Sequence, residues 1–348
     1  MLSMPVAPCR DSGAWSIVIA GGDPLMRGDL TPSWTWDRAL TGVIPPVISP
    51  LDRAGQPDEA AIAALVDHVL GGGCSGLFVL GGCGEGAWLT AGQRGRVVRL
   101  MVRAAAGRVP VLAGVMLPAT GPAVEAAREA SGEGADAVVV GSPYYFDVEG
   151  GAQRRHVEAV LEATGRPGLL YNIPQSTHHV LSPATVRDLA GDPRVLGIKD
   201  SAGDFGAFQG YLAAKRARPD FRVLQGNEHL AAASLLHGGD GLVPGLANVA
   251  PALLVALRAA AARGDVAACL RVQAAVEDLG ELHAHGHWLP ALKAACAMLG
   301  LGTGLPAAPL APATETERTR IRAVLARHDL LSGVLAPGAP ARNVAEAR

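Results

Sequence analysis

The 348-residue chain is 49% apolar, with 44 glycines and 25 prolines, which suffices for one large domain with additions or for two domains. A net charge of −2 with 18% charged residues leaves no electrostatic footprint for nucleic acid or an anionic membrane surface. No apolar run reaches the about 18 residues that a membrane helix needs.

The N-terminal stretch "AWSIVIAGG" is apolar, but Asp11 interrupts its approach and no basic segment precedes it, so it does not read as a signal peptide. Everything before Trp34 lacks periodicity, and Met26 is an alternative start. Residues 1–40 are therefore expected to form a poorly ordered extension. The five cysteines (Cys9, Cys74, Cys83, Cys269, Cys296) are odd in number and show no CxxC spacing. That pattern fits free thiols in a reducing compartment, and a cytoplasmic location is expected.

From Gly42 onward, short apolar runs alternate with Ala-rich helical patterns. The strand candidates are "GVIPPVI" (42–48), "GLFVL" (76–80), "VPVLAGV" (109–115), "DAVVV" (136–140), "GLLYN" (168–172), "VLGIK" (195–199), "FRVLQ" (221–225) and "GLVPG" (241–245). Between the first two, Ile62, Leu65, Val66, Val69 and Leu70 recur at helical spacing until a glycine run ends the pattern. Strand followed by helix, at intervals of about thirty residues, is the signature of an α/β fold of the (β/α)8 TIM-barrel type. The barrel is expected over 41–263. Helical segments near 266–282, 287–300 and 314–330 then form a C-terminal appendage over 264–332, and the Pro/Ala-rich 333–348 is expected to be a disordered tail.

In such a barrel the active site lies at the C-terminal ends of the strands. Those ends carry "GGCGEG" (81–86), "GSPYYF" (141–146), "YNIP" (171–174), "KDS" (199–201), "GNE" (226–228) and "PGLANV" (244–249). Lys199 follows a buried apolar run with no turn residue between. It is either a surface lysine with a snorkelling amine or an amine whose desolvation favours the neutral, nucleophilic form. Tyr171 ends the neighbouring strand and points its phenol to the same rim, where a hydroxyl can carry the protons that imine formation needs. The "GGCGEG" turn is either a plain tight turn or an anion-binding nest of backbone N–H groups. Its Glu85 reads as a loop anchor rather than a catalytic acid.

These motifs, in this order and spacing, resemble the dihydrodipicolinate synthase/N-acetylneuraminate lyase family of class I aldolases. The resemblance covers about 41–332, with "LPALKAACAMLGL" (289–301) matching the family's C-terminal pattern. It implies that Lys199 forms a Schiff base with pyruvate or a related 2-oxo acid and that Tyr171 transfers protons. The backbone of the Gly82–Cys83 turn would hold the substrate carboxylate, with the Val243 main chain facing the same site. Tyr145, the second tyrosine of the PYY motif, would reach a neighbouring subunit's site and join a hydroxyl relay, or simply pack at a subunit contact. A homo-oligomer, dimer or tetramer, follows. No metal or cofactor is implied, because the protonated imine is the electron sink; the partners are a 2-oxo acid and an aldehyde.

Three positions depart from the family pattern. Gly82 and Cys83 stand where relatives carry a hydroxyl residue and a threonine, and Ser176 stands where the synthases carry a carboxylate-gripping arginine. The usual relay is broken or rerouted, and the lysine-biosynthetic substrate does not fit. The expected activity is aldol cleavage or condensation of a 2-oxo acid with an aldehyde. Dehydration of a keto-deoxy sugar acid through the same imine, and a catalytically silent acid-binding protein, are the alternatives. The tandem His178–His179 either contacts a polar acceptor or belongs to a solvated loop. The alternating histidines of "HAHGHW" (283–288) are expected in a connection away from the barrel mouth, without a carboxylate or cysteine to complete a metal site.

Overall fold

The computed structural model describes residues 32–332; the expected extension before residue 32 and the tail from 333 lie outside them. Seven parallel strands form one curled sheet in sequence order: β1 Leu77–Val79, β2 Val111–Gly114, β3 Ala137–Gly141, β4 Gly168–Asn172, β5 Val195–Asp200, β6 Arg222–Gln225 and β7 Gly241–Leu242. The expected first strand at 42–48 is reduced to two isolated parallel bridges, Val43 with Leu242 and Pro46 with Phe78. Pro45 and Pro46 have no N–H to donate, which prevents a continuous ladder. The segment still closes the barrel. Ile44 N–H donates to the Leu242 carbonyl at 2.9 Å and Val47 N–H to the Phe78 carbonyl at 2.9 Å.

The helices follow from local sequence. The α2 helix (Glu59–Gly71) is capped by Asp58, whose side chain accepts from Ala61 N–H, and it buries Ile62, Leu65, Val66 and Val69. The α3 helix (Ala91–Ala105) starts on a Thr90–Gln93 capping box. The outer ring continues with α4 Thr120–Gly132, α5 Gly150–Thr164, α6 Pro174–Thr177, α7 Pro183–Leu189, α8 Phe205–Leu212, α9 Ala231–Leu236 and α10 Pro251–Ala262. The appendage helices are α11 Val266–Gly280, α12 Trp288–Met298 and α13 Glu315–Arg327. Their buried residues Cys269, Leu292, Cys296 and Ile321 share one apolar cluster with the barrel's Leu77 and Val111.

Ordered structure begins before the expected boundary at 41. Helix α1 (Trp36–Leu40) is capped by Thr35, and Leu40 joins the cluster inside the barrel. That inner cluster includes Phe78, Leu112, Val139, Leu169, Tyr171 and Leu224. Val138, Val140, Leu170, Ile198 and Val223 face the helices instead. The alternation is the pleat's period of two, and it decides which strand residues can reach the site.

Candidate active site

Tyr171 on β4 and Lys199 on β5 are direct register partners. Lys199 Nζ donates to Tyr171 Oη at 3.1 Å, and the residues are 3% and 4% exposed. The amine also sits 4.2 Å from the Tyr171 ring centroid and 5.0 Å from that of Phe78. Phe78 meets Tyr171 edge-on at 5.8 Å. Both ring faces are oriented to pack against the amine. Gly226 makes room for this arrangement, because a Cβ there would stand 2.6 Å from Lys199 Cε.

One residue further along each strand the side chains turn outward. Asn172 donates to Asp200 Oδ1 at 2.7 Å and accepts from Leu181 N–H, and Tyr211 Oη donates to the Leu181 carbonyl at 2.7 Å. Burial pushes the Asp200 carboxyl above the usual carboxylate range. This network pins β4 to β5 where Tyr171 and Lys199 meet.

The turn after β1 is tightly folded. Leu80 and Glu85 adopt left-handed backbone conformations, with φ of 58° and 57°. Gly84 and Gly86 press on Leu80, since a Cβ at either would come within 2.7 Å of its backbone. Glu85 anchors the turn: its carboxylate pairs with Lys293 on α12 and accepts from Ala307 N–H at 2.6 Å. Among the described residues, the N–H groups of Gly82 and Cys83 donate to no backbone carbonyl, and the Val243 carbonyl accepts no bond, although Val243 N–H donates to Gln225 at 2.7 Å. The Cys83 thiol is buried, and burial pushes it up to about 12.

A cavity of about 400 Å³ opens above this floor, lined by Gly82, Trp88, Met116, Tyr144, Tyr171, Ile173, Ser176, His287 and Trp288 among others. Lys199 lies beneath it through its bond to Tyr171. Tyr144, not Tyr145, lines the cavity. Tyr145 is 83% exposed at φ 83°, edge-on to the exposed Phe146. The pair His178–His179 does not line the cavity: His178 caps α6, and His179 Nε2 accepts from Val148 N–H at 3.1 Å.

The placement expected for "HAHGHW" is corrected. Its His287 and Trp288 form part of the cavity wall, because α12 begins at the barrel mouth. Among the described residues no group of three His, Cys, Asp or Glu is gathered to hold a metal, and no helix is long and apolar enough to cross a membrane. Sequence reasoning missed Phe78, Tyr144, Trp88, Trp288 and Gly226. The period-two pattern of "GLFVL" could have pointed Phe78 inward; the cavity-wall residues on loops and at the start of α12 leave no such trace.

A parallel barrel with a buried lysine–tyrosine pair at the C-terminal ends of adjacent strands has the architecture of a Schiff-base aldolase. The dihydrodipicolinate synthetase family model matches residues 39–328, and the chain belongs to that family of aldolase-type lyases. It is 34% identical to the 4-hydroxy-tetrahydrodipicolinate synthase of Acidiphilium cryptum, over 84% of this chain and 99% of that one. It is 36% identical to an uncharacterized DapA-like lyase of Halobacterium salinarum, over 84% and 95%. Among solved structures it resembles YagE, a prophage protein from E. coli K12 in complex with pyruvate, at 31% identity and a TM-score of 0.79, covering 83% of this chain and 98% of that one.

Proposed function

We propose that the protein is a lyase that cleaves or forms a carbon–carbon bond through an imine between Lys199 and pyruvate or a related 2-oxo acid. The observation that carries this reading is the 3.1 Å contact between Lys199 Nζ and Tyr171 Oη in a buried, aromatic setting. The neutral amine adds to the keto carbon, Tyr171 relays the protons, and water leaves. The protonated imine withdraws electrons from C3, so a C3 proton leaves to give an enamine. The enamine carbon then attacks an aldehyde, and hydrolysis of the imine returns the amine; cleavage runs the same steps in reverse. The Gly82 and Cys83 N–H groups receive the acid's carboxylate.

Incubation with pyruvate and borohydride should add to Lys199 the mass of pyruvate less one oxygen atom, mapped by peptide mass spectrometry. No adduct, under conditions that label a known family member, sinks the reading. Glycine at position 82, without a hydroxyl, favours a second reading, dehydration of a 3-deoxy-2-oxo sugar acid through the same imine. Loss of water from the intact carbon skeleton, with no release of pyruvate, would establish it. A homo-oligomer is part of the proposal, supported by the exposure of Tyr145 and Phe146.

A further inference from the structure

We propose that the second substrate is a neutral aryl aldehyde, so that the cleavable compound is a 4-aryl-4-hydroxy-2-oxo acid. This rests on the imine reading above. Phe, Trp and Tyr make up only 4% of the chain, yet Trp88, Tyr144, Tyr171 and Trp288 all line the one cavity above Lys199. Met116 and Ile173 add to its apolar wall. Trp88 and Trp288 remain 46% and 41% exposed, a large apolar area held open beside the reacting amine and suited to a flat apolar guest.

The Trp288 indole is held in place. His287 stacks on it at 5.9 Å with planes 25° apart, and His283 meets it edge-on at 6.4 Å. The His287 ring is fixed in turn, with Nδ1 accepting from Leu289 N–H at 3.3 Å. Gly82 opens the space in front: a Cβ there would reach 3.9 Å from Trp288 Cη2, so a larger side chain would project into the room that a ring would use.

Charge points the same way. No arginine or lysine lines the cavity. Ser176 offers a hydroxyl where a cation would be needed to pair a second carboxylate. Glu85 is engaged by Lys293 and Ala307, and Arg94, which faces Tyr144 electrostatically, donates to the Leu89 carbonyl. Lys199 is committed to the imine, and the Glu228 carboxylate behind the wall, which accepts from Leu246 N–H, is felt at both Cys83 and His283. An anionic aldehyde would give up its hydration with no arginine or lysine in the wall to receive it.

In the condensing direction the enamine C3 bonds to the aldehyde carbon, and the carbonyl pair becomes an alkoxide that takes a proton. In cleavage the hydroxyl proton leaves, the C3–C4 bond breaks, and its electron pair passes to the imine.

The test measures kcat/KM with pyruvate for benzaldehyde, succinic semialdehyde and glyceraldehyde, alongside the borohydride adduct on Lys199. Benzaldehyde should exceed both others by about tenfold or more, and Trp288→Ala and Trp88→Ala should each raise its KM about tenfold. Gly82→Thr should lower kcat/KM for benzaldehyde more than for glyceraldehyde. Faster turnover of the anionic or polyhydroxylated aldehyde, or an adduct with no turnover of any of the three, overturns the aryl assignment and leaves the imine reading standing. Absence of the adduct overturns both.

Discussion

Among the described residues two lysines are buried, Lys199 on a barrel strand and Lys293 on the appendage helix α12, and their partners separate them. Lys293 is paired with the Glu85 carboxylate and donates to the Ser49 carbonyl at 3.0 Å. Lys199 has, among the described residues, no carboxylate within ion-pair distance; its contacts are a phenol and two ring faces. A buried amine paired with a carboxylate is held in an ion pair, whereas one whose polar contact is a phenol has no counter-ion tying it down. Tyr171→Phe keeps the ring that packs on Phe78 and removes only the hydroxyl. In the proposed reaction kcat should fall by about 10²–10⁴, and hydrogen–deuterium exchange at pyruvate C3, followed by NMR, should slow with it. An unchanged exchange rate assigns the proton to another group. Lys199 was legible because a lysine ending an apolar strand is out of place. Lys293 was not, because a single lysine in the Ala-rich α12 pattern looks like any helix surface residue.

At the scale of elements, the turn after β1 and helix α12 behave as one unit. Glu85 lies on the turn, Lys293 on the helix, and the chain near Ala307 closes the third side. Burial pulls the Lys293 amine below its usual value, and Glu85 offsets part of that shift. Removing one member strands the other's charge. Lys293→Met should therefore cost about 3–5 kcal/mol in urea denaturation, and Glu85→Gln added to it should recover much of the loss. A double variant no more stable than Lys293→Met would mean that the lysine's packing, not the stranded charge, sets the cost. Because the same turn presents the Gly82 and Cys83 amides, Lys293→Met should also raise the KM for pyruvate. The anchoring role of Glu85 followed from its place in a glycine-rich turn, but its partner is 208 residues away in sequence, and no local pattern reports such a distance. For the same reason "HAHGHW" could be read as a loop but not located: its position at the barrel mouth depends on how α12 docks.

For the whole molecule, the strand–helix alternation gave the barrel, because burial on both faces leaves continuous apolar runs such as "AVVV" in β3. It overstated the first strand, since apolar content alone does not register that Pro45 and Pro46 cannot join a ladder. Close packing of this kind also buries groups that resist ionising, and that sets a pH dependence. His156 is 2% exposed, its Nδ1 lies 3.0 Å from Thr120 Oγ1, and burial lowers its pKa from 6.5 to about 4. Burial lowers His68 and His283 as well. In each case the unfolded chain takes up a proton that the folded chain refuses. The stability these imidazoles contribute is thus full above about pH 6.5 and is lost as pH falls below it, for His156 down to about 4. For His156 the loss is about 3 kcal/mol. Asp200 acts with the opposite sign: its raised carboxyl pKa lets the folded chain gain a proton first, which returns some stability over the acid range. Three depressed histidines against one raised carboxyl leave a net fall. Urea midpoints at fixed protein concentration should drop between about pH 7 and pH 4.5, and His156→Gln should reduce the slope by up to about 1.4 kcal/mol per pH unit, the equivalent of one proton. An unchanged slope in that variant would show that His156 is protonated inside the folded protein, and the acid sensitivity would then have to come from elsewhere in the barrel.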